Sequence, residues 1–546
     1  MRDLPQRIAT AMLCASVGAI TVGAIPVDAQ VSVATATSPR LRIADGEIVG
    51  TMESGNLRLF RGIPFAAPPV RGLRWQPPQP AHPWSGVRLA DRFAAQCMQT
   101  RPFADMVFRN DSMSEDCLYL NVWAPSPTIA MNKRLPVLVY FYGGGFIAGD
   151  GSEPRYDGAS MARRGLVVVT VSYRLGIFGF FSHPALTQES PQHASGNYAF
   201  MDQAASLQWV RTNIAAFRGD PQRVTIAGES AGSFSVSALM ASPLSKALMA
   251  GAIGESGALL STTTLPMPAR TEAESSGVRF ATAIGAESLV ALRGLSAMEL
   301  LAASSRAGAP RFGPNVDGWF FPEAPEATYA AGRQSRVPLL AGWNSEEQNG
   351  RAALGGDPTP ENMSTLLSTT FGASAAEAAT VYPSRAADDA AQSATDFASD
   401  RFIAFGTWKW LELHGRTSGK PVYRYLYARP RPPLTSLGEA ILGKSTPPRG
   451  AAHSAEIEYA MGNLSTNRYF AWTPDDDRVS ATMQTYFANF VKTGNPNGAA
   501  VPSWPVGAPD ADGRVMHMRL DVDSRAEPEA RARYLFLDRF YSPPAK

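Results

Sequence analysis

Arg223-Val-Thr-Ile-Ala-Gly-Glu-Ser-Ala-Gly232 carries a short apolar strand-like run, 223–227, straight into the pattern G-x-S-x-G, and a helical run at 233–240 follows. A serine at such a junction stands on a tight turn with unfavourable dihedrals, so bulk is excluded two residues before it and two after. The helix N-terminus behind it turns backbone N–H groups toward developing negative charge. Ser230 is therefore the candidate nucleophile. Gly254-Glu255-Ser256-Gly257 looks similar, but Ala258 stands where the second glycine is needed. Ser256 reads as a supporting residue.

The flanking sequence repeats the strand theme. Residues 136–141, 166–171, 337–341 and 421–426 are short apolar runs, and between two of them residues 197–217 place Met201, Ala204, Leu207, Val210 and Ile214 at helical spacing. Near-continuous apolar strands alternating with helices predict an α/β fold, a large and mostly parallel sheet covered by helices on both faces. Residues 38–65 alternate instead and predict an antiparallel N-terminal lead-in. The Ala/Ser-rich stretch 354–400 reads as surface helices and loops, and the Pro-rich stretch 429–449 as one long loop. No repeat or biased linker divides the chain, so residues 30–546 read as one large domain.

A hydroxyl attacking an acyl carbon creates an oxyanion, and fixed N–H donors at that point are often the largest catalytic contribution. Tyr142-Gly143-Gly144-Gly145-Phe146 follows the first strand of the series, where a bare backbone can approach a substrate. The amides of Gly144, Gly145 and Ala231 make a three-donor set. No phosphate-binding glycine pattern is present there, which disfavours a nucleotide.

Chemistry of this kind orders its residues serine, then acid, then histidine. Three histidines follow Ser230. His414 sits at a helix end, His517 in an alternating strand-like stretch, and His453 in a Gly/Ala loop before a helical run. Loops on a rigid scaffold carry catalytic groups disproportionately, which favours His453. Glu346, Glu347 and Asp317 are the candidate acids, and spacing does not separate Glu346 from Glu347.

With 45% hydrophobic residues and 18% charged, the 546-residue chain has ample material for a core. A formal net charge of +2 without any Lys/Arg run argues against nucleic acid as a partner. Residues 1–29 have a basic start, a weakly apolar stretch at 8–25, Pro26, and small residues up to Ala29. That pattern predicts a secretory signal peptide that takes Cys14 with it and leaves Gln30 first, with no membrane span after cleavage. The remaining cysteines, Cys97 and Cys117, then predict one disulfide of an exported protein. No Cys/His cluster suggests a metal, and no cofactor is expected.

Beyond the nucleophile, two segments, Glu115-Asp-Cys-Leu-Tyr-Leu-Asn-Val-Trp-Ala-Pro125 and Phe217-Arg-Gly-Asp-Pro-Gln-Arg-Val-Thr-Ile-Ala-Gly-Glu-Ser-Ala-Gly232, resemble the type B carboxylesterase/cholinesterase family of α/β-hydrolases. Further matches are Phe60-Arg-Gly-Ile-Pro-Phe-Ala-Ala-Pro-Pro69, Ser172-Tyr-Arg-Leu-Gly176, Gly196-Asn197 with Asp202-Gln203, and Thr493-Gly-Asn-Pro496, so the resemblance runs from about residue 42 to 540. It implies the α/β-hydrolase fold. By a segment resembling G-x-N-x-D/E-E-G it implies Glu347 as the acid, although Gln348 stands where glycine is usual. His453-Ser-Ala-Glu-Ile-Glu-Tyr-Ala-Met-Gly462 implies His453 as the base. The resemblance also pairs Cys97 with Cys117 and gives Ser256 a hydrogen bond to the catalytic glutamate. Cholinesterases hold a quaternary ammonium over a tryptophan inside the disulfide loop, and residues 98–116 contain none, which speaks against choline esters.

The expected function is ester hydrolysis through an acyl-enzyme on a small-molecule substrate, with Ser230 as nucleophile, His453 as base and Glu347 orienting it. Glu229, beside the serine, is placed to add negative potential near the imidazolium. Two alternatives are a triacylglycerol lipase and a non-catalytic binding protein on the same fold.

Overall fold

The computed structural model describes residues 38–54, 56–126, 133–260, 264–444, 448–509 and 511–541. The expected signal peptide and its cleavage point lie outside the described residues. An 11-stranded sheet organises the chain. Its strands are β1 (Thr51–Glu53), β2 (Leu57–Pro64), β3 (Tyr119–Pro125), β4 (Leu135–Phe141), β5 (Val167–Val171), β6 (Gly219–Glu229), β7 (Gly251–Glu255), β8 (Leu339–Asn344), β9 (Val422–Tyr427), β10 (Met516–Leu520) and β11 (Arg525–Pro528). Their spatial order is β1-β2-β3-β5-β4-β6-β7-β8-β9-β10-β11.

All pairings from β5 through β10 are parallel, whereas β1, β2, β3 and β11 join antiparallel at the two edges. The lead-in expected over 38–65 divides in two. Arg40–Ile43 and Gly46–Val49 form a hairpin that pairs with Val87–Leu89 in a separate three-stranded sheet, while β1 and β2 extend the large one. The apolar run of β4 is buried from Pro136 to Phe141, which explains why it shows no alternation.

Helices cover both faces. Gly251 and Gly254 lie three residues apart on β7 and so point to opposite sides. A side chain at Gly251 would approach Phe490 of the helix Pro474–Thr493, and one at Gly254 would meet Trp410 of the helix Phe405–Thr417. The first of these helices begins with a reciprocal cap between Thr473 and Asp476. One sequence expectation shifts. A helix, Ser436–Leu442, stands inside the stretch expected to be loop, started by the Thr435 hydroxyl accepting from the Gly438 amide. His414 stands in the last turn of the helix Phe405–Thr417, as expected, with its ring fully buried and bonded to the Val337 carbonyl at 2.9 Å. Burial pushes its imidazole down to about 4, a neutral core histidine.

Several of the motif residues serve the core. Arg174 and Asp202 form a buried bidentate pair at 2.8 and 2.7 Å, and Asp202 also accepts from the Arg174 amide. This ties the loop after β5 to the helix Tyr198–Asn213. Cys97 and Cys117 are joined by a disulfide, and Gln96-Cys97 pairs with Met113-Ser114 as a two-stranded ribbon in the same loop. Among the described residues, no helix is long and apolar enough to cross a membrane.

Candidate active site

The site forms at the C-terminal ends of the parallel strands because the chain leaves β4, β6, β8 and β9 there, close to where the strand order reverses. β4 and β6 are neighbours in the sheet, so the glycine loop after β4 lies beside the turn after β6. Ser230 sits on that turn at φ 52°, ψ −119°, a region that ordinary residues avoid and that costs on the order of 1–3 kcal/mol. Two anchors hold it: the Ser230 amide donates to the Glu255 carbonyl at 2.8 Å, and the helix Ala231–Ala241 starts directly behind it. The glycine of the motif at 232 is demanded by packing, since a Cβ there would collide with the Phe141 carbonyl at the end of β4.

Ser230, His453 and Glu347 come together from three loops. Ser230 Oγ lies 2.9 Å from His453 Nε2, and His453 Nδ1 lies 2.7 Å from Glu347 Oε2. A carboxylate can only accept, so in the neutral imidazole Nδ1 carries the proton toward Glu347 and Nε2 is free to accept from the serine hydroxyl. Glu347 is 2% exposed, and its other oxygen accepts the Asn344 amide at 2.7 Å. Glu346 points elsewhere: its backbone bridges to the Ala451 carbonyl, and its side chain lines a neighbouring cavity on the other side of the loop. Asp317 is also buried elsewhere, closing its own turn by accepting from the Trp319 and Phe321 amides. His517 faces Glu527 across β10 and β11.

Other carboxyls surround the imidazole. Glu229 Oε1 lies 3.4 Å from His453 Nε2 and accepts from the Ser454 hydroxyl at 2.7 Å. Deeper in, Glu456 and Glu255 are fully buried. Burial pushes the His453 pKa down, but Glu229, Glu347 and Glu456 more than offset it, and the imidazole is pushed up to about 9. Burial in turn raises Glu229, lifts Glu456 to about 8 and holds Glu255 well above the usual carboxylate range.

The Ser256 expectation is corrected. Its hydroxyl donates to Glu456 Oε1 at 3.3 Å and not to Glu347, whose two oxygens are taken by the Asn344 amide and the imidazole.

Ser230, His453 and the glycine loop open into a cleft of about 630 Å³ with mostly apolar walls that include Phe103, Phe234 and Phe402. Gly144 and Gly145 line it together with Ala231, and Gly144 adopts φ +113°, out of reach of a side-chain-bearing residue. Phe402 meets the His453 ring nearly edge-on at 4.9 Å. It is carried by a π-turn, Asp400–Ala404, which Asp400 anchors by accepting from Tyr382 and Arg533. Sequence reasoning missed Phe402, because one extra residue in a helical turn leaves no periodic signature. Among the described residues, no group of three or more His, Cys, Asp or Glu could hold a metal ion.

The sequence pattern of the Carboxylesterase family matches residues 37–535. The chain belongs to the carboxylesterase family. It is 34% identical over 510 residues to the fumonisin B1 esterase of Sphingopyxis macrogoltabida, spanning 88% of this chain and 86% of that relative. It is also 34% identical over 482 residues to the para-nitrobenzyl esterase of Bacillus subtilis (strain 168), spanning 84% and 91%. A solved structure of a PNB esterase superposes with a TM-score of 0.75 at 31% identity, covering 91% of this chain and 98% of the other. This carboxylesterase therefore has the α/β-hydrolase fold and is a serine hydrolase of carboxylic esters.

Proposed function

We propose that Ser230, His453 and Glu347 are the catalytic triad of this carboxylesterase, with Gly144, Gly145 and Ala231 as its oxyanion donors. The observation that carries the reading is the unbroken run of contacts at 2.9 and 2.7 Å from hydroxyl through imidazole to carboxylate. His453 takes the serine proton as Ser230 Oγ attacks the ester carbonyl, and the three amides receive the oxyanion. His453 then gives that proton to the leaving alcohol. Water, deprotonated by the same imidazole, cleaves the acyl-enzyme and releases the acid. Glu229 stabilises the imidazolium from the side facing the serine.

A series of p-nitrophenyl esters from acetate to palmitate tests the reading. Hydrolysis of the short and medium chains is expected; none at any length would overturn it, and palmitate well ahead of butyrate would make it a lipase. The lack of tryptophan at 98–116 supports an enzyme that is not a choline specialist.

The pH profile follows from His453. Only the neutral imidazole accepts the serine proton, so kcat/KM is expected to rise with pH, with a midpoint well above the ordinary 6.5 and toward 9. Glu229 is the strongest of the groups that raise it. The Glu229→Gln variant should therefore move the midpoint to lower pH while it slows turnover. A profile with its midpoint at or below 6.5 in the wild type would contradict the assignment.

Export and a single domain over 30–546 complete the proposal. The Cys97–Cys117 disulfide supports an oxidising compartment, and one continuous apolar core supports the single domain. The intact mass of protein recovered outside the cytoplasm should correspond to a chain beginning at Gln30; a full-length mass would argue against cleavage.

A further inference from the structure

Five charged side chains line the cleft: Asp105, Arg155, Glu229, Arg311 and His453. Four of them are neutralised in place. Arg155 pairs with Asp105 at 3.2 Å and with Glu153 at 2.9 Å, and Glu229 faces His453. Arg311 differs. Its polar contact is the Gly145 carbonyl at 3.5 Å, and among the described residues it forms no ion pair. Its side chain is exposed to the cleft and open to a ligand, and partial burial pushes its pKa down.

The segment that carries Arg311 is fixed. The next residue, Phe312, packs on Phe181 and Phe280 with ring centroids 5.7 and 5.2 Å away. The guanidinium is thus presented beside the glycine loop that lines the cleft with Ser230. An arginine on the cleft wall without a carboxylate partner is suited to a planar anion that it can grip with two parallel N–H bonds. A neutral ester would leave it without a partner.

We propose that this carboxylesterase selects esters bearing a second, free carboxylate, which Arg311 clamps beside the glycine loop while the ester carbonyl faces Ser230. The proposal rests on the serine-esterase reading above and adds the substrate class. The carboxylate belongs to the acyl part or to the alcohol part of the ester, and the two placements are told apart by matched substrates.

Matched pairs of esters test it. Monoethyl glutarate against ethyl valerate places the charge on the acyl side, and acetylated hydroxybutyrate against butyl acetate places it on the alcohol side. In at least one pair the anionic ester is expected to have the higher kcat/KM, by about tenfold or more at low salt, shrinking as ionic strength rises. Arg311→Gln should collapse that ratio toward one, Arg311→Glu should invert it, and Arg311→Lys should keep part of it. The Lys variant guards against misreading a fold defect in the others, because its charge persists. Equal turnover of charged and neutral esters in both pairs, or a ratio indifferent to Arg311→Gln, would overturn the anion reading alone. Failure to hydrolyse either member of either pair would instead overturn the serine-esterase reading.

Discussion

Ser230→Ala is expected to lower kcat on p-nitrophenyl butyrate by about a million-fold while leaving the unfolding transition close to that of the wild type. The loss is so large because the hydroxyl oxygen is the atom that becomes bonded to the acyl group. Without it, His453 has no nucleophile to activate, and the glycine loop has no tetrahedral intermediate to stabilise. The fold should persist because what anchors the strained turn is backbone. The Ser230 amide still donates to the Glu255 carbonyl, and Gly232 still lets the following helix close on Phe141. Alanine meets the same penalty at φ 52° as serine, so the substitution adds no new strain. An organophosphate ester should label one site in the wild type and none in the variant. Activity above about a thousandth of the original would move the nucleophile elsewhere. Ser256 is a poor alternative, being fully buried with its hydroxyl committed to Glu456.

What could be read from the sequence follows from how local each signal is. The strand at 223–227, the G-x-S-x-G turn and the helix after it are contiguous, so periodicity and two glycines place Ser230 without reference to the rest of the chain. The parallel sheet was legible for the same reason, since strands such as 136–141 and 166–171 are short apolar runs. His453 was less so, because three histidines follow the serine and only the folded chain says which loop reaches it. His414 was legible as a helix-end residue and lies in the last turn of its helix, but nothing local told that its ring is buried against the Val337 carbonyl. Glu346 and Glu347 are adjacent, and no one-dimensional pattern tells which side of an extended loop faces the imidazole. Phe402 and Arg311 were invisible: one rests on a π-turn, the other on the absence of a counter-charge in a cleft built from distant segments. Ser256 was legible as a supporting residue, but its partner depended on which lone pairs of Glu347 were already occupied.

That adjacency makes the acid the sharpest remaining test. Glu347→Gln is expected to reduce kcat/KM by about ten-thousand-fold, and Glu346→Gln by no more than about threefold. The argument turns on the Asn344 amide. It donates to Glu347 Oε1, so after Glu347→Gln the carbonyl oxygen of the new carboxamide stays at that position, where it accepts. The carboxamide nitrogen must then occupy the place of Oε2, 2.7 Å from His453 Nδ1, and it can only donate there. Nδ1 becomes an acceptor, the proton moves to Nε2, and the imidazole faces Ser230 with an N–H instead of a lone pair. The base is present, correctly placed and in the wrong tautomer. Glu346 has no such position to lose, because its side chain lines a cavity that does not include Ser230 or His453. Proton NMR of the downfield Nδ1–H resonance provides a check independent of turnover: it should be present in the wild type and in Glu346→Gln, and absent in Glu347→Gln. Equal losses from the two substitutions would dismiss the tautomer argument, and the reverse order would transfer the acid to Glu346.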